Sequence, residues 1–174
     1  MRAELLSSPG TDVAAEIASV SRLVARAGLC EGFGHVSARA GADAFAITTT
    51  GPLARSHPRE ILRLPVDADP PATARGMPLE VPLHAAIYAR RPDVGAIVRA
   101  HPPACVAAGA MGAVPPVAHG LGGLSGSVKL HDESQLVVSR ERGRAAASAL
   151  ADGDCLVIRG NGMLATGAGL PEAA

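Results

Sequence analysis

From Asp12 to Ala27 the apolar positions Val13, Ile17, Val20 and Val24 trace one stripe at helical spacing, which predicts an amphipathic helix stopped at Gly28. Gly32 and Gly34 then make a loop. His35–Ala38 and Ala44–Thr48 read as two short strands joined through the turn residues Gly41, Ala42 and Asp43, so a hairpin is expected. Leu62–Val66 is a further candidate strand, and the segment 67–76, rich in proline, aspartate and alanine, reads as a surface connection. Glu80, His84, Ile87 and Tyr88 fall at helical spacing, and Arg90, Arg91 and Pro92 close that helix. The apolar run Val94–Val98 predicts a buried strand that delivers Arg99 and His101 two residues apart. Pro103–Ala110 reads as a small helix and 114–128 as loop with a short strand. Ser139–Ala151 reads as an amphipathic helix capped by Ser139, Asp154–Ile158 as a buried strand, and Met163–Thr166 as its partner across a tight turn. Helices and strands interleave without a repeat, which predicts an α/β or α+β chain with a mixed sheet, forming a single domain over residues 1–174.

Composition narrows the function. Hydrophobic residues make up 48% of the 174 residues but aromatic ones only 2%, so the core is built from small aliphatic side chains. Burial of subunit surface would make up the missing area, which suggests a homo-oligomer. Net charge is zero, which offers no electrostatic case for nucleic acid or an anionic membrane. No stretch approaches the roughly 20 apolar residues of a membrane span, and the N-terminus with Arg2 and Glu4 does not read as a signal peptide. Cys30, Cys105 and Cys155 are far apart and lie in apolar surroundings, as free thiols of a cytoplasmic protein would.

The chemistry-bearing residues concentrate between Glu80 and His101. A carboxylate, two imidazoles and a guanidinium there converge near one helix and one strand end, the arrangement of a site for proton transfer or metal chemistry. Four segments occur in order: GFGHVSAR, ITTTG, LEVPLHAAIYARRPDVGAIVRAHPP and LVIRGNGMLATGAGLPEAA. Together they resemble the class II aldolase/adducin family. The resemblance implies a three-layer α/β/α sandwich around a central, largely antiparallel sheet. It also implies a homotetramer with active sites at subunit contacts, and carbon–carbon lyase chemistry next to a carbonyl. In that family three histidines hold a divalent metal and a glutamate moves the proton.

Carried over residue by residue, Glu80 falls at the catalytic glutamate and His101 at one metal ligand. Arg99 replaces a second ligand, in Arg99-Ala100-His101 where the family has H-x-H. Asn161 replaces the third, in the turn Arg159-Gly160-Asn161-Gly162. Arginine is not a plausible metal ligand, and one imidazole with one amide is too few to hold a transition metal tightly. Two readings stay open. Either His101 and His119, with His84 or His35, regroup around Mn, Zn or Fe, or no metal is used and Arg99 supplies the positive charge. The family's phosphate-binding turns are altered as well. Thr48-Thr49-Thr50-Gly51 is retained, but Pro78-Leu79 replaces a pair of serines. The variant Gly34-His35-Val36-Ser37 is more similar to members acting on carboxylated or aromatic substrates, decarboxylases included.

The expected function is therefore a lyase that decarboxylates, or cleaves by retro-aldol reaction, a small oxygenated carbonyl or carboxylate compound. Glu80 would act as acid/base, and Arg99 would bind carboxylate or stabilise an oxyanion. His101, Asn161 and His35 complete the expected catalytic set, and Thr49, Thr50, Gly51 and His84 are the expected substrate-binding residues. The alternatives are a metal-free isomerase, dehydratase or cyclase, an iron-dependent oxygenase, and a non-catalytic adducin-like interaction module.

Overall fold

The computed structural model describes residues 11–30, 32–67, 76–118 and 120–174. Its strands are β1 (His35–Arg39), β2 (Ala44–Ile47), β3 (Leu62–Pro65), β4 (Ala96–Ala100), β5 (Val128–His131), β6 (Cys155–Ile158) and β7 (Met163–Gly167). They form one sheet in the order β3-β2-β1-β4-β7-β6-β5. Only the β5–β6 pair is parallel; the other pairs are antiparallel. The hairpin β1–β2 and the return of β7 onto β6 are as the sequence predicts. Strand β5 is not separately visible in the sequence, because its four residues are mostly half-exposed and carry no alternation.

Helices α1 (Thr11–Arg26), α2 (Val81–Arg90), α3 (Pro103–Ala110), α4 (Arg140–Leu150) and α5 (Leu170–Ala173) cover the two faces. Period-2 alternation along each strand divides the core in two. Phe45, Ile47, Ile97, Leu156, Ile158 and Leu164 pack against Leu83, Ile87, Ala146 and Leu150 of α2 and α4. Val36, Ala38, Ala46, Ala96 and Val98 face Ala14, Ile17 and Val24 of α1, with Leu170 and Ala173 of α5. This is the α/β sandwich with a mostly antiparallel central sheet that the family resemblance implies. Among the described residues, no helix is long and apolar enough to cross a membrane. The connection expected at 67–76 falls mainly on residues 68–75, which lie outside the described residues, as does His119.

Two local features position the site. Helix α2 begins at Val81, not at Glu80: Glu80 occupies the N-cap position at φ −88°, ψ 17°, and its side chain makes no capping bond. It therefore does not share the helical spacing with His84 that the sequence suggests. Strand β4 is central, flanked by β1 and β7, so Arg99 sits opposite both His35 and Leu164. The chain end of β4 thus opens beside the start of β1 and the β6–β7 turn.

The helical layer over Ile97 and Leu164 depends on a close approach of α4 to α2. A Cβ on Gly143 would press into the Pro82 carbonyl and come within 3.3 Å of the Ala86 methyl. Gly143→Ala would gain about 1 kcal/mol of helix propensity, but overpacking against backbone costs about 1–3 kcal/mol. We expect net destabilisation in urea denaturation; a stabilised variant would mean that the two helices are not in this contact.

Candidate active site

A cavity of about 580 Å³ opens where β1, β4 and the β6–β7 turn meet the start of α2. Its polar wall is His35, Thr50, Glu80, His101 and Asn161, and its apolar rim is Phe33, Leu79 and Leu136. Those three rim side chains are exposed. Sequence reasoning misses them because a lone exposed apolar residue carries no signal of function.

Glu80 is buried, and the chain surrounds its carboxylate. Oε2 lies 3.2 Å from Nε of Arg99. Oε1 accepts from the backbone N–H of Val137 at 3.3 Å and from the Asn161 amide at 3.5 Å. The Arg99 guanidinium is fully buried, and its other nitrogens are spent on carbonyl oxygens. Nη1 donates to Ala100 at 2.9 Å and Met163 at 3.2 Å, and Nη2 donates to Asn161 at 2.5 Å. The Nε approach to Glu80 lacks the angle of a hydrogen bond, so we read it as an ion pair. Arg99 therefore lies behind Glu80 and the β6–β7 turn and is not part of the cavity wall.

Asn161 lies between Gly160 (φ 61°) and Gly162 (φ 76°), which take the left-handed conformations of that turn. Asn161 itself has no positive φ, so its side chain, not its backbone freedom, is what the position uses. A Cβ on Gly162 would collide with the Ala100 carbonyl, so the turn closes tightly on the end of β4.

His101 is held by the loop before β1: Nδ1 lies 3.0 Å from the Phe33 carbonyl. A carbonyl only accepts, so Nδ1 carries the proton and Nε2 keeps its lone pair. Burial lowers its pKa first and the Arg99 charge lowers it further; the Phe33 carbonyl, Glu80 and Asn161 oppose. At neutral pH His101 is thus a base with one defined donor and one defined acceptor.

The remaining expected residues divide. Burial pushes the His35 imidazole down to about 4, with Glu80 opposing and the Arg99 and His101 charges reinforcing. His84 is completely buried. Its Nδ1 lies 2.8 Å from Ser37 Oγ, which lies 2.8 Å from the Tyr88 hydroxyl. Its ring meets His35 edge to face at 5.8 Å and does not reach the cavity wall. Thr50 and Gly51 line the cavity, while Thr49 and Arg55 line an adjoining one of about 270 Å³. Thr48 is structural: its hydroxyl accepts from the Val36 N–H at 3.3 Å. Among the described residues, no group of three or more His, Cys, Asp or Glu side chains could hold a metal ion. The His101–His119 pairing involves a residue outside the described ones. The donor set described does not fit a divalent metal.

The class II aldolase and adducin N-terminal domain family model matches residues 15–174, and the chain belongs to that family. A 3,4-dihydroxyphthalate decarboxylase of Arthrobacter keyseri is 30% identical over 173 residues, covering 90% of this chain and 70% of that protein. Another, from Rhodococcus jostii (strain RHA1), is 31% identical over 166 residues, covering 84% and 67% respectively. The structure of l-fuculose-1-phosphate aldolase from Thermus thermophilus superposes with a TM-score of 0.79 at 25% identity, covering 94% of this chain and 86% of that one. The expected class, a carbon–carbon lyase, agrees with these relatives.

The depressed imidazoles of His35 and His84 make stability depend on pH. The unfolded chain takes up protons on His35 and His84 near pH 6.5, whereas the folded chain does not until far lower pH. The unfolded state then binds more protons, so stability falls as pH drops from about 6.5 towards 4. For His35 the loss is up to roughly 3 kcal/mol, reduced because the ring opens partly onto the cavity. Urea denaturation at several pH values should show this slope, and His35→Asn should flatten part of it. A flat profile would contradict the burial described.

Proposed function

We propose that this chain decarboxylates a small hydroxylated aromatic carboxylate of the dihydroxyphthalate type. The observation that carries the reading is His101, fixed through Nδ1 on the Phe33 carbonyl and lining a cavity that combines polar residues with an apolar rim. The names of the relatives support the same substrate class. A cavity of about 580 Å³ accommodates one substituted ring.

In this reading Phe33, Leu79 and Leu136 pack against the ring, and Thr50 with the Gly51 backbone orients a carboxylate. His101 Nε2 takes the proton of a ring hydroxyl, which pushes electrons to the ring carbon bearing the leaving carboxylate. The resulting imidazolium returns that proton to the ring carbon. The C–C bond then breaks, its electron pair restores the aromatic ring, and CO₂ departs. The phenolate that remains is reprotonated from water. Glu80, held by Arg99, Asn161 and the Val137 N–H, faces His101 with a fixed negative charge and stabilises the imidazolium while it exists. The low intrinsic basicity of His101 makes it a ready proton donor to carbon once charged. As a further part of this reading, the exposed Phe33, Leu79 and Leu136 at the mouth are covered by a neighbouring subunit of a homotetramer in the cytoplasm.

The test is CO₂ release from 3,4-dihydroxyphthalate and simpler hydroxybenzoates. We expect turnover that His101→Gln lowers by about 100-fold or more in kcat, with folding intact. The activity should persist to lower pH than an exposed histidine would allow, because the base form of His101 does. No CO₂ from any of these acids, or full activity in His101→Gln, would overturn the reading.

A further inference from the structure

We infer that the buried Arg99 guanidinium takes over the organising role that a divalent metal has in the family, so that the site of this chain works without one. Three observations converge on this. Arg99 stands where the family motif has a metal-binding histidine, in the central strand β4, and it is fully buried. Its nitrogens tie together the carboxylate of Glu80 and the carbonyls of Ala100, Asn161 and Met163, so one cation fixes the carboxylate on the cavity wall and the turn that carries Asn161. Finally, Arg99 Nη1 and His101 Cδ2, the carbon next to Nε2, both lie within 3.0 Å of the point where a Cβ on Gly162 would stand. A fixed positive charge thus lies close to the His101 ring, one of the two imidazoles that line the cavity.

A dication at His101 Nε2 would meet that charge at close range, in surroundings with little water to screen it. It would also find the Glu80 carboxylate already engaged by a guanidinium and two N–H donors. The oxygens left to it, the Asn161 amide and the Thr50 hydroxyl of the same wall, suit a hard, weakly held cation. No added imidazole would remove the guanidinium charge. The inference concerns the charge of the site and stands or falls separately from the substrate proposed above.

The test reads metal binding, not turnover. Purified protein, stripped with chelator, is mixed with equimolar Zn²⁺ or Co²⁺, passed through a desalting column and analysed for metal, with thermal unfolding in parallel. The native chain is expected to retain under about a tenth of an equivalent and to show no shift in unfolding midpoint, because its described residues offer no set of three imidazole, thiolate or carboxylate ligands. The Arg99→His/Asn161→His variant is expected to gain about one equivalent of Co²⁺ with the visible absorption of a nitrogen-bound site. One equivalent on the native chain, abolished by His101→Ala, would overturn the inference. A folded double variant that binds no metal would also overturn it, since Arg99 and Asn161 would then not be what displaces the metal. If the double variant does not fold, the native protein and His101→Ala decide the question.

Discussion

A fully buried guanidinium facing a buried carboxylate is the constraint around which the site is arranged. Burying either charge alone would be costly, and two charges in low dielectric are tolerated only when geometry and further hydrogen bonds satisfy both. Here three carbonyl oxygens share the guanidinium, and two N–H donors share the carboxylate. Those partners come from the end of β4, the β6–β7 turn and the segment before α4. A single ion pair therefore couples the positions of elements far apart in sequence. The tight turn with Gly160 and Gly162 at positive φ follows from it, because the Asn161 carbonyl must reach Nη2.

The fold supplies the rigidity this needs. Strand β4 lies between β1 and β7, and its Ala96 and Ile97 are fully buried. A side chain leaving the end of such a strand has little freedom. The second layer is equally fixed: Ser37 joins His84 and Tyr88 beneath His35, so the imidazole on the cavity wall rests on a hydrogen-bonded trio of buried residues. The rim of Phe33, Leu79 and Leu136 contrasts with this polar wall. A ligand with a flat apolar body and acidic substituents matches both.

Much of this is legible in the sequence, and the rest is hidden for definable reasons. The stripe of Ile17, Val20 and Val24, the run Val94–Val98 and the motif order point to the helices, the central strand and the family. The convergence of Glu80, His101 and Asn161 follows from the motif. Spacing alone cannot tell that Glu80 precedes its helix, since an N-cap residue and a first-turn residue read alike. Nor can it distinguish a residue that faces a cavity from one that lies under it. Arg99 and His84 are of the polar types expected at a wall, yet both sit beneath one, because a central strand and a helix base leave them no path to solvent. The Val137 N–H on Glu80 has no signal at all: a backbone donor in an irregular segment has no residue-type signature.

The most direct test is a double-mutant cycle on stability with Arg99→Met, Glu80→Gln and the pair. Arg99→Met alone leaves a carboxylate buried without its cation, and about 3–5 kcal/mol should be lost. If the ion pair organises the site, the double variant should cost less than the sum of the singles, with a coupling of about 1–3 kcal/mol. Additive losses would mean that Arg99 and Glu80 act independently, which would contradict the account.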